Sequence, residues 1–455
     1  MIDLLCKKMP TSSLLRGILE RCFSPDRLDD LFERTAQDQY TRTLLFSTVC
    51  NLLLHVVLKI YPSVHAAYQG AREEIRVSLA ALYDKLNRTE IGLLTALVRE
   101  TARDLAQVQD SLQVPRSSLL PGYPIRILDG NCLEASEKRL RVHRHVSGGA
   151  LPGKSLVVLD PDRRLVVDVF PCEDGHAQER SLLADVLATI LPGQLWIGDR
   201  NFCVLHFLLG IEERGAFALL RQHANLPFTE IGPWVWVAVT DDGRQILEQA
   251  ITIGGRPFRR IRVKLAKPTR DGDFHVDLIC NLPSEVDAAL IAELYRNRWR
   301  IETAFQQIEA HLESEINTLA HPSAALFGFC LALVAYNAFS LALNAVDSAH
   351  QEEVSPGLST YYVGHEIAST FLALLMLTDS LEWVFLAKLP SAEFAEWLRS
   401  VALGMDLRKY KKHSRGPKKP RQKPPYDPKH PHVSTYKLLE EEKSNKNDIR
   451  KNLAP

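Results

Sequence analysis

Apolar residues recur at helical spacing through the first 120 positions, and then the period changes. Leu45, Val49, Leu52, Leu53, Val56 and Val57 fall on one helical face. Leu79, Leu82 and Leu86 repeat the pattern, as do Leu93, Leu94, Leu97 and Val98. Val114-Pro115-Arg-Ser-Ser is a loop signal that closes this helical region. Short β-rich runs follow at 125–129, 155–160 and 165–170, and the tight turn Pro161-Asp-Arg-Arg164 makes the last two a hairpin. A helix is predicted over 176–190, a strand over 194–199, a helix over 204–214 and a strand over 216–220.

Three leading strands followed by alternating helix and strand describe an α/β fold, a mixed sheet with helices on its faces. The order β-β-β-α-β-α-β is that of the RNase H-like fold. From 224 to 285 the β signal continues without helices, through runs at 234–239, 249–253, 259–265 and 274–279. That segment is expected to form a separate small antiparallel sheet inserted into the mixed domain. A long helix is predicted over 286–314, then an apolar helix over 324–346 and a helical region to about Leu403, before a basic, proline-rich tail. The expected units are a helical N-terminal domain (1–120), a mixed-sheet domain in two parts (121–223 and 286–350), the inserted β subdomain (224–285), a helical C-terminal region (351–407) and the tail (408–455).

The stretch 324–346 is apolar over a length that could cross a bilayer. Asn337, Ser340 and Asn344 interrupt it at helical spacing, and no second span of that quality exists, so a buried core helix and no membrane partner are expected. A chain of 455 residues with 46% hydrophobic and 24% charged positions is that of a globular protein of two to four units. The formal net charge is zero, so a nucleic-acid partner has to be argued from where charge sits. Eight scattered cysteines without a C-x-x-C pair argue for buried thiols in a reducing compartment, and against a zinc site or disulfide framework. The first residues lack the apolar run of a secretory signal, so a cytoplasmic protein is expected.

Asp129 and Asp199 each end an apolar run, followed by Gly130-Asn131 and Arg200-Asn201. A carboxylate at a strand terminus is rigidly held yet faces the rim of the sheet, where a site belongs; Asp is also simply common in turns. Glu302 stands in Tyr295-Arg-Asn-Arg298-Trp-Arg-Ile-Glu302. At about 100° per residue, Tyr295, Arg298, Glu302 and Glu309 share a sector about 60° wide beside the apolar stripe Leu294, Ile301, Phe305, Ile308 and Leu312. A solvated face with an Arg298–Glu302 pair has the same pattern. Three carboxylates suit in-line displacement at phosphorus, because two Mg²⁺ ions about 3.5–4 Å apart activate the attacking oxygen and stabilise the leaving one. Arg298 and Tyr295 suit phosphate recognition.

These residues resemble the DDE transposases of bacterial insertion sequences, specifically the insertion-sequence-four family. That family carries Y-x2-R-x3-E-x6-K on the helix of its third acid; Tyr295, Arg298 and Glu302 match, and Glu309 stands where the lysine belongs. The similarity extends to Leu128-Asp129-Gly130, residues 151–161, Gly198-Asp-Arg200 and Asn281-Leu-Pro283, covering roughly 120–345 and the basic tail. It implies an RNase H-like domain with a β insertion between the second Asp and the Glu. It also implies catalysis at Asp129, Asp199 and Glu302 with Mg²⁺ (or Mn²⁺), cleavage at element ends and strand transfer into target DNA. The implied partners are double-stranded DNA, both terminal inverted repeats and target, and a second copy that pairs two ends, with repeats read by the N-terminal region. Lys154, Arg200 and Arg300 are candidates to replace the missing lysine. The alternatives are a DNA-binding remnant without activity, which Glu309 favours, and an RNase H-like nuclease without strand transfer.

Further DNA contacts are expected in the tail, where Arg408, Lys409, Lys411, Lys412, Arg415, Lys418, Lys419, Arg421 and Lys423 occur with no acid among them. Trp234 and Trp236, at i and i+2, share one face of the insertion. The family uses an aromatic ring there to stack a flipped base; packing in a core is the other use. Asp174, in Glu173-Asp-Gly-His176 with Glu179 nearby, is expected to cap the helix starting near His176, with a metal role for this acidic cluster as the alternative. Arg139, Arg141, His143, Arg144 and His145 read as a basic surface loop near DNA.

Overall fold

The computed structural model describes residues 2–39, 43–112, 118–240, 243–265, 267–268, 272–350, 382–411 and 432–452, with scattered positions between 359 and 374. The helices α1 (Ile2–Lys8), α2 (Pro10–Phe23), α3 (Pro25–Thr35), α4 (Phe46–Val57), α5 (Val64–Gly70), α6 (Leu79–Asn87) and α7 (Ile91–Ser111) come first. The strands and helices β1 (Ile125–Cys132), β2 (Ala150–Leu151), β3 (Lys154–Asp160), β4 (Leu165–Cys172), α8 (Leu183–Leu187), β5 (Leu195–Gly198), α9 (Leu205–Glu213) and β6 (Phe217–Arg221) follow. Next stand β7 (Thr229–Glu230), β8 (Val235–Val239), β9 (Gln245–Ile253), β10 (Arg256–Lys264) and β11 (His275–Cys280). The last part holds α10 (Ala288–Arg296), α11 (Trp299–His311), α12 (Pro322–Ala349), α13 (Val384–Lys388), α14 (Ser391–Ala402), β12 (Val433–Ser434) and α15 (Thr435–Asn452).

The long strands join one sheet in the order β4-β3-β1-β5-β6-β11-β10-β9-β7, with β8 also on β9. β1, β5 and β6 run parallel, β3 is antiparallel to β1 and β4 to β3. This mixed α/β architecture fits the RNase H-like fold expected from the sequence. The segment 224–285 does not form the separate sheet expected of it. Leu278, Ile279 and Cys280 of β11 pair with Arg221, Leu220 and Leu219 of β6, so the inserted strands continue the central sheet. The last strand of the mixed half has an open edge, and an unpaired row of N–H and C=O groups is satisfied when the returning strand adds to it.

α12 is the apolar helix expected to be a core element, and it is nearly all buried, packing against α2, α4, α7, α14 and β4. Leu326, Phe327, Leu331, Leu333 and Val334 have no measurable exposure, and each such side chain contributes about 1.5–3 kcal/mol on burial. The N-terminal helices share this apolar core with the sheet. The polar interruptions have partners: Asn337 accepts from the Val166 N–H and donates to the Val166 C=O, both at 2.7 Å, and Asn344 donates to the Arg163 carbonyl at 3.3 Å. β4 is the terminal strand of the sheet, so its outward main-chain groups need such partners.

Three other expectations change. The helix over 286–314 is two helices, because Asn297, Arg298, Arg300 and Ile301 donate to carbonyls three residues back and the Asn297 side chain takes the Glu293 carbonyl at 3.2 Å. The helix over 176–190 shrinks to a 3₁₀ turn at Glu179–Leu182 and α8. Asp174 therefore caps no helix: it accepts from the His176 N–H at 2.9 Å and binds Ser434 and Lys437 of the C-terminal segment. In that segment β12 pairs in parallel with β2 and α15 follows. The loop signal at Val114 to Ser117 lies outside the described residues, as does most of 351–381.

Asn337→Ala leaves two buried main-chain groups unsatisfied and should cost about 2–4 kcal/mol, read as a lower midpoint in urea denaturation.

Candidate active site

β1 and β5 are parallel neighbours whose last register pair is Leu128 with Gly198. The residues that follow are Asp129 and Asp199, so both carboxylates stand at the same edge, on strands about 4.8 Å apart. Asp129 is still inside β1, opposite Val157 of β3, which fixes its main chain on that side. Asp199 begins the 3₁₀ turn Arg200–Phe202, and one of its oxygens accepts from the Asn201 N–H at 2.7 Å. α11 packs against β1 and brings Glu302 to this edge.

Arg298 links the set. Its Nη1 donates to Asp129 Oδ2 at 3.3 Å and its Nη2 to Glu302 Oε1 at 2.8 Å, while Asp129 Oδ1 accepts from the Gly130 N–H at 3.0 Å. Burial pushes the Asp129 carboxyl up to about 6; Arg298 and the Gly130 N–H oppose that shift, and the charges of Asp199 and Glu302 add to it. Burial also pushes the Tyr295 hydroxyl up to about 12, with Arg298 and Asp199 among the charges that act on it. Asp129, Asp199, Tyr295, Arg298 and Glu302 are thus brought together, though Tyr295 and Glu302 lie on different helices.

The oxygen-only donor set suits a hard divalent cation. Among the described residues no three His, Cys, Asp or Glu side chains close around an ion as they stand. Arg298 occupies the space between Asp129 and Glu302, and a guanidinium there offsets the carboxylate repulsion that a metal would otherwise offset.

Of the other predicted residues, Arg200 directly follows Asp199 in the 3₁₀ turn, and Lys154 pairs with Cys132 three places beyond Asp129 on β1. The Trp234 ring is covered by the guanidinium groups of Arg260 and Arg262, at 4.9 and 4.4 Å from its centroid, so its face is in use. Trp236 is the open ring of the pair, 62% exposed beside exposed Val235 and Val239. Lys411 is exposed after the Leu407–Tyr410 turn; Lys412, Arg415, Lys418 and Lys419 lie outside the described residues. Glu309 is exposed on α11. Of the candidates to replace a lysine there, Lys154 donates to the Ala177 carbonyl at 2.5 Å, and Arg300 donates to the Pro161 carbonyl at 3.2 Å, beyond the opposite end of β3. His143, expected in a surface loop, is fully buried against Thr435.

Two features of the site escaped the sequence reading. Glu179 and Arg180 both bind Asn201, through its side chain and its carbonyl, each at 2.6 Å. The only signal for them was the acidic run 173–179 and the Asn two places after Asp199.

Residues 120–338 match the family model described as the transposase DDE domain. The "Putative transposase y4zB" of Sinorhizobium fredii (strain NBRC 101917 / NGR234) is 28% identical over 178 residues, 37% of this chain and 47% of that protein. The match thus spans about half the length of that relative. The family match, the mixed sheet and the acidic edge agree, and the chain carries a DDE transposase domain over residues 120–338.

Proposed function

We propose that this protein is a DNA transposase that cleaves DNA at the ends of an insertion sequence and joins those ends to target DNA, with Asp129, Asp199 and Glu302 as its catalytic and metal-binding acids. The observation that carries this reading is the Leu128–Gly198 register, which sets two aspartates side by side at one sheet edge with Glu302 tied to the first through Arg298. Within the DDE transposases, the Tyr295, Arg298, Glu302 spacing favours the insertion-sequence-four branch.

DDE transposases use divalent metals, and three carboxylates without softer ligands favour Mg²⁺, with Mn²⁺ able to replace it. When bound, Mg²⁺ would polarise the attacking and leaving oxygens of the phosphodiester. The chain's own groups do the rest. Asp129 and Asp199 hold their positions through the strands, and Glu302 reaches the same edge from α11. Arg298, whose planar donors hold Asp129 and Glu302 in this structure, has the shape and charge to bind a DNA phosphate, and the Tyr295 hydroxyl stays protonated as a second donor. Trp236, more than Trp234, has a ring face free for a displaced base. Lys411 and the basic residues after it neutralise phosphates, the N-terminal helices read the terminal repeats, and two copies bridge two ends, in a bacterial cytoplasm at the nucleoid.

A second reading, a DNA-binding remnant, is favoured by Glu309, a carboxylate where a phosphate-binding lysine belongs. An end-cleavage assay separates the two: Mg²⁺-dependent nicking of a duplex carrying the element end supports the transposase, and binding without nicking supports the remnant. A nick with no joined product would indicate a nuclease.

Glu302→Ala should lower nicking by about 10²–10³-fold with DNA binding nearly intact, as a gel-shift titration would show; loss of both together would remove Glu302 from the catalytic set. Because the Asp129 carboxyl titrates near 6, a cation must displace its proton at lower pH. Mn²⁺ affinity measured by calorimetry should therefore rise as pH increases from 5 to 7. The metal-free protein should do the opposite between about pH 4 and 6, losing stability as pH rises from the unfolded to the folded value. Asp129→Asn should flatten both trends.

A further inference from the structure

β-strand alternation puts Asp129 and Gly130 on opposite faces of β1. Ile127 and Leu128 show the two faces, each buried in a different core cluster. On the Gly130 face lies Glu179: a Cβ built on Gly130 would overlap its carboxylate, so a larger residue there would push that flexible side-chain end from its place. The same carboxylate accepts from the Asn201 side-chain amide through Oε2 at 2.6 Å. Arg180 Nε donates to the Asn201 main-chain carbonyl, also at 2.6 Å. Asn201 is thereby gripped at both ends by consecutive residues, and its own N–H donates to Asp199. One carboxylate oxygen of Asp199 is fixed by that bond.

We infer that Glu179 is a positioning residue of the acidic centre: packed behind β1 and bonded to Asn201, it fixes the turn that carries Asp199 relative to the strand that carries Asp129. It acts from the back of the strand, by hydrogen bond and shape, and ligates nothing. Glycine at 130 and asparagine at 201 are the complementary parts of the device. Outer partners of ligating groups typically change metal affinity or activity by 10–100-fold, which sets the scale of its effect. The inference rests on the proposed role of the three acids.

The test is Mn²⁺ titration of the full chain by calorimetry, with thermal melts beside it. Glu179→Ala should weaken Mn²⁺ binding by about 10-fold. Glu179→Gln, whose amide oxygen still accepts from Asn201, should recover most of that loss. Asn201→Ala should match Glu179→Ala, and the double variant should be no worse than either, since both break one interaction. Gly130→Ala should give the same weakening with residue 179 intact, and it carries the test if Glu179→Ala does not fold. Unchanged Mn²⁺ affinity, losses that add, or a Gln variant as poor as the Ala variant would overturn the inference, the last by making Glu179 a ligand. Asp129→Ala and Asp199→Ala keep the failures apart: if neither lowers Mn²⁺ affinity, the reading of the acidic centre itself fails, whatever Glu179 does.

Discussion

The pairing of β1 with β5 is the constraint from which the site follows. Parallel strands in adjacent positions end at the same edge, and a register error of one residue would turn one aspartate to the opposite face. The register is held from both sides, by β3 on β1 and by β6 on β5. The inserted strands add to that support, because β11 closes the open edge of β6 and ties the insertion into the same hydrogen-bonded sheet. On the outer side, α12 holds β4 through the Asn337 amide, so both flanks of the central pair are pinned.

Charge works on this frame as a second constraint. Three carboxylates at one edge repel one another, and the folded chain without metal needs a compensating cation. Arg298 supplies it from the overwound joint between α10 and α11, where main-chain bonds reach back three residues. The joint lets one short stretch serve two purposes: α10 keeps its apolar face on the sheet while α11 turns Glu302 toward Asp129.

Much of this was legible in the sequence, for reasons that can be named. Strand period and terminal Asp located β1 and β5, and the helix signature located Glu302, because apolar periodicity and a charged border survive in one dimension. The break at Asn297 was hidden, since Tyr295, Arg298 and Glu302 line up on an ideal helix whether or not the helix continues. The joining of the insertion to β6 was equally invisible, as antiparallel strands look the same in a separate sheet and in an extended one. Glu179 could not be placed, because its meaning lies in Gly130 and Asn201, which are far from it in the chain and near it only in the fold. The buried amide of Asn337 was seen as an interruption; that it completes an edge strand needed the strand order.

The return of β12 to β2 has a consequence for the order in which the molecule assembles. His143 and Thr435, which bond across this junction, are 292 positions apart in the chain. Closing a loop of that length from an unfolded chain costs about 5 kcal/mol in entropy, but once the sheet exists only the roughly 20 residues after Lys411 remain to be closed, at about 3 kcal/mol. The junction is therefore cheaper to close once the sheet has formed. It ties Thr435 to the buried His143 and Ser434 to Asp174.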